Sequence, residues 1–111
     1  MSERKIDPNK AVDFIIENAS KFAKARAERV YIEQYRSSLK AILMQKSGQT
    51  VISAQERDAY AHPEYGTLLE GLREAVEIEE RLRWDLIAAQ ARIEIWRSQE
   101  ATNRTQDKMS L

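Results

Sequence analysis

At 111 residues with a formal net charge of zero, the chain fits a single domain, with neither the basic excess of a nucleic-acid coat nor the acidic excess of a solvating tail. It has no cysteine, which excludes disulfides and thiolate chemistry. About half of the residues are Ala, Glu, Lys, Leu or Arg, and only three Gly and two Pro interrupt them, so the chain reads as long helices and not as a many-stranded sheet.

The residues before Asp7 contain no apolar run, so no signal peptide is expected, and no apolar stretch is long enough to span a membrane. A cytoplasmic protein is the expectation. Asp7-Pro8 then starts a helix: Asp is a good N-cap, and proline is pre-set for the first turn. No further Pro or Gly follows until Ser47-Gly48, which predicts a helix over about 8–46. Ser53-Ala54-Gln55-Glu56 has the capping-box pattern and predicts a short helix over about 53–61. Pro63 disfavours helix at His62 and opens a second long helix, expected to reach about residue 101 and to leave 102–111 as a frayed tail.

Leu68, Leu72, Ala75, Glu79, Leu82, Leu86, Ala89, Ile93 and Trp96 alternate steps of four and three, a heptad seam broken only by Glu79. Ala11, Ile15, Asn18, Phe22, Ala25, Arg29, Ile32, Arg36, Leu39 and Leu43 do the same in the first helix, with three polar members. Ala19, Ala23 and Ala27 form a small-residue stripe, read equally as close helix approach or as plain helix propensity. Two helices of similar length with a short connection should fold back as an antiparallel hairpin. A turn near residue 55 sets Arg29 within a turn of Glu79, and the two are expected to form a cross-helix ion pair. Residues 1–50 carry ten basic and six acidic residues and residues 51–111 eight and twelve, so the two halves suit each other.

A second apolar line, Trp84, Ala88, Ala91 and Ile95, follows the same rhythm on another face of the last helix. One neighbouring helix cannot cover both lines. The expectation is an all-α, coiled-coil-like hairpin in one domain, with these four residues as the interface of a homodimer that closes a four-helix assembly.

No residue set forms a catalytic signature. His62 is the single histidine, too little for a hydrolytic triad or a His-rich metal site, and it reads as a helix-flanking residue. Glu70, Glu74 and Glu77 share a face and could attract Mg²⁺, but Glu74-x-x-Glu77 has no complementary Glu-x-x-Asp partner, so the better reading is a solvated face without a metal or other cofactor. Arg81, Arg83, Arg92, Arg97 and Arg104 alternate with Glu80, Asp85, Glu94 and Glu100, which weakens any phosphate field; nucleic acid is not favoured as a partner.

The stretches His62-Pro63-Glu64-Tyr65, Leu68-Leu69-Glu70-Gly71-Leu72, Leu82-Arg83-Trp84, Ala89-Gln90-Ala91-Arg92-Ile93-Glu94 and Trp96-Arg97-Ser98, with Ala25-Arg26-Ala27-Glu28-Arg29-Val30-Tyr31, resemble a group of short uncharacterised helical proteins of phages and prophages. The resemblance implies a mobile-element origin and carries over no active site. The expected function is that of a non-enzymatic accessory protein gripping a host or phage protein through a helix face. A nucleic-acid accessory role in recombination or replication is the alternative, and an Mg²⁺-dependent nucleotide pyrophosphohydrolase a weak third.

Overall fold

A computed structural model describes residues 5–110; Met1–Arg4 and Leu111, which belong to the expected leaderless start and frayed tail, lie outside the described residues. Three helices follow one another: α1 (Pro8–Lys46), α2 (Ile52–Ala61) and α3 (Pro63–Ser110). Among the described residues there is no strand, and no helix is long and apolar enough to cross a membrane.

The boundaries follow local chemistry. The Asp7 carboxylate accepts from the backbone N–H groups of Asn9 (2.9 Å) and Lys10 (3.3 Å), satisfying donors that have no intrahelical partner. α1 stops where Gly48 takes φ of 72°, a left-handed conformation that a side chain would resist. The capping box is not formed. α2 begins at Ile52, one residue earlier than expected, with Val51 as N-cap and no side-chain cap. The connection is instead tied by the Gln55 side-chain amide, which donates to the Gln49 carbonyl at 2.8 Å.

His62 breaks the helix between α2 and α3 with extended backbone (φ −69°, ψ 137°). Its Nδ1 accepts from the Glu64 N–H at 3.1 Å and its carbonyl from the Tyr65 N–H at 3.0 Å, so the ring does the work of an N-cap side chain. The expected fraying from 102 onward is not found: α3 runs on to Ser110. Residues 101–110 contain neither Gly nor Pro, and Thr102, Thr105 and Ser110 return their hydroxyl protons to the carbonyls four residues back. Every residue of that segment is exposed, so its helicity rests on backbone hydrogen bonds and propensity, not packing.

The expected single domain divides into two compact units, Met1–Phe22 with Arg81–Leu111 (unit 1) and Ala23–Glu80 (unit 2). Unit 2 holds the only buried cluster of side chains among the described residues. Leu39 and Leu43 of α1 meet Ala59 of α2, with Met44, Tyr65 and Leu68 packed round them. Ala59 has no exposed surface, so α2 lies flush on its neighbours. Tyr60 meets Tyr65 edge-on at 5.3 Å, a favoured aromatic geometry. The Lys40 ammonium sits 4.9 Å from the Tyr60 ring and 3.7 Å from Glu56. Tyr60 first, and then the Glu56 charge, hold its pKa above the ordinary lysine value.

In unit 1, the seam residues Leu82, Leu86, Ile93 and Trp96 of α3 are half-buried and Ala89 is buried. From α1, Ala11 is buried, and Ile15, Asn18 and Phe22 are half-buried. The four-three pattern thus marks the packed face of both long helices, Arg36 being its one exposed member. Ala19, Ala23 and Ala27 are exposed, so the small-residue stripe brings no helix of this chain close.

Candidate functional site

The second apolar line follows from helix geometry. Trp84, Ala88, Ala91 and Ile95 each stand two residues beyond a seam member, about 200° round the helix. When the seam turns inward this line must turn outward. All four residues are exposed, Trp84 at 59% and Ile95 at 50%. Leaving a large apolar side chain in water forfeits about 1.5–3 kcal/mol relative to full burial. The Arg83 guanidinium lies over the Trp84 ring at 5.3 Å, a cation–π contact that leaves most of the indole uncovered.

The edges of this face differ. Asp85 and Arg92, seven residues apart and so on one side of the helix, flank one edge; Ile87 and Glu94 flank the other. Neither Asp85 nor Arg92 has an ion-pair partner among the described residues, whereas Glu94 is held by Arg97 at 3.4 Å. Beyond the Asp85–Arg92 edge lies a groove of about 600 Å³ in unit 1, floored by Ala11, Phe14 and Ala88 and lined by Lys10, Asp85 and Arg92. The N–H groups at the start of α1 that a bound anion would need are already taken by Asp7.

Arg29 and Glu79, both in unit 2, come together. Arg29 Nε donates to Glu79 Oε2, and Nη2 donates to Oε1 at 3.1 Å, a two-pronged pairing. Nη1 is held by Glu33 one turn on at 2.9 Å. Glu79 is only 6% exposed, and Arg29 is partly covered. The hydrogen bond to Glu79, then that to Glu33, pushes the arginine pKa above its ordinary value, so the guanidinium is a permanent cation. No polar side-chain atom is left buried without a hydrogen bond among the described residues, so the pair is satisfied within the fold.

The other sequence candidates do not converge. Glu74 and Glu77 are exposed, Glu70 is bound to Arg73 at 2.8 Å, and no group of three or more potential metal-ligating His, Cys, Asp or Glu forms among the described residues. His62 spends Nδ1 on its cap. Sequence reasoning missed one feature: a shallow apolar groove in unit 2, lined by Ile32, Tyr35, Leu39, Thr67, Leu68 and Gly71. Tyr35 stacks on Tyr31 at its rim, 6.2 Å between centroids and 5° from parallel. The i, i+4 spacing of the two tyrosines is the signal that could have found it.

Comparison with known proteins finds no matching family model, no matching curated protein and no matching solved structure.

Proposed function

We propose that the chain is a non-enzymatic interaction protein that binds a helical protein surface through the outward face of α3 in unit 1. The observation that carries this reading is the exposure of Trp84 and Ile95 on a heptad-spaced line that no other helix of the unit covers. A regular apolar line suits helix-against-helix docking, in which residues three and four apart serve as anchors. Tryptophan is among the side chains most enriched at the energetic centre of interfaces. The mixed charges beside the line, Asp85 with Arg92 and Glu94 with Arg97, favour a protein over phosphate, because acidic groups interrupt the basic ones. An accessory role in a phage or prophage suits such a binder and is part of the proposal, as is action inside the host cell.

Photo-cross-linking tests the reading. A photoreactive amino acid replacing Ala91 should give a covalent protein adduct in cells expressing the chain, and Trp84→Glu should abolish it. Absence of any protein adduct, with the chain itself included among the products, would overturn the proposal.

A further inference from the structure

Resting on the reading of the α3 face as a protein interface, we infer that its occupant is the same face of a second copy, with the two α3 helices antiparallel and crossing between Ala88 and Ala91. The face is complementary to itself about that point. Reversing the helix direction sets Ala88 against the partner's Ala91 and Trp84 against the partner's Ile95, each layer occurring twice by symmetry. The large residues then lie outside and the two alanine layers at the centre, where small side chains let the backbones approach.

Charge selects the same arrangement. In antiparallel helix pairs, the residues just beyond one edge of the seam meet their counterparts across it. Asp85 therefore meets the partner's Arg92, and Arg92 the partner's Asp85, giving two symmetry-related opposite-charge contacts from groups that have no ion pair among the described residues. A parallel pairing would stack Trp84 on its own copy and Ala88 on its own copy, mismatching bulk along the face. It would also bring Glu80 towards the partner's Asp85, like against like. The edge formed by Ile87 and Glu94 carries no like-charge conflict in the antiparallel case.

Charge exchange tests both occupant and direction. Sedimentation equilibrium on the full chain should give a dimer for the wild type. Asp85→Arg and Arg92→Asp, each at an exposed position, should weaken it about tenfold or more, because each reversal creates two repulsive contacts. The double variant Asp85→Arg/Arg92→Asp restores opposite charges across the axis and should return the dissociation constant to within about threefold of wild type, with the single-variant losses shrinking as salt is raised. A wild-type chain that stays monomeric at high micromolar concentration would overturn the second-copy inference while leaving the α3 face open to another protein, which the Ala91 cross-link detects independently. A dimer indifferent to the single reversals, or not rescued by the double, would overturn the antiparallel arrangement. Spin labels on Ser98 add an independent reading: they should lie about 25 Å apart along the helix axis in the antiparallel dimer, and side by side in a parallel one.

Discussion

Units 1 and 2 are built from the same two long helices and the same four-three spacing, yet they differ in how their apolar surface is used. Unit 2 has a third element. α2 supplies Ala59, and round it Leu39 and Leu43 become buried. Unit 1 has two helix segments only, and beyond Ala11 and Ala89 its seam residues remain half-covered. Two helices can shield one stripe each; a helix with two stripes needs a further neighbour. The ten residues of α2 thus separate a region that completes its own core from one that leaves Trp84 and Ile95 outside.

The strongest way to break the comparison is Leu43→Ala. Leu43 is among the most buried side chains, and its truncation should cost about 2–5 kcal/mol, read as a lower urea midpoint with cooperative loss of helix signal. A loss below about 1 kcal/mol would mean that the α2 cluster does not anchor unit 2. Next comes the seam pair. Glu79→Leu should destabilise more than Glu70→Leu, because it leaves the Arg29 charge facing an apolar seam, whereas Arg73 is exposed. Restoring much of that loss in Arg29→Leu/Glu79→Leu would show that the cost lies in the unpaired charge; equal effects of Glu79→Leu and Glu70→Leu would show the seam pair to be solvated.

A smaller effect, about 1 kcal/mol, is expected for His62→Ala, which removes the ring acceptor at the start of α3. His62→Asp should recover it, and equal stability of the Ala and Asp variants would argue against the cap. Trp84→Glu should change the stability of the dilute chain by no more than about 0.5 kcal/mol, since the residue is exposed, despite its effect on association. A large loss at high dilution would place Trp84 in the fold of unit 1. The last expectation is an absence of signal: titration of Mg²⁺ should give no micromolar binding heat, and heat that vanishes in Glu77→Ala would revive the metal-dependent alternative.

Much of this architecture was legible because helix periodicity is a strong signal and the helix ends carry decisive residues. The seams, the Asp7-Pro8 start and the Gly48 stop depend on spacing and on single-residue chemistry. Arg29 and Glu79 could be found as interruptions of otherwise apolar seams. The start of α2 was not legible, because Val51 and Gln55 set it through a side-chain bond to Gln49 where a Ser–Glu box was expected. The length of α3 was not legible, because a polar segment suggests fraying, whereas its last turns lack any residue that ends a helix. The unit 2 groove lay hidden because it needs Tyr35 and Gly71 from distant parts of the sequence, and neither belongs to a seam.

The Arg29–Glu79 bond also bears on how the helices find their alignment. Heptad seams are nearly periodic, so sliding one long helix past the other by seven residues would still place many apolar groups together. Such a slip would set Arg29 against Leu72 in one direction and Leu86 in the other. Either mismatch takes the two Glu79 bonds from a guanidinium that stays charged at any physiological pH and leaves it only Glu33 of its own helix. A chain whose seams held only alanine and leucine could settle into several offset hairpins of similar energy. One charged pair in the midst of the seam makes those offsets costly, so the misaligned forms should be short-lived on the way to the folded state.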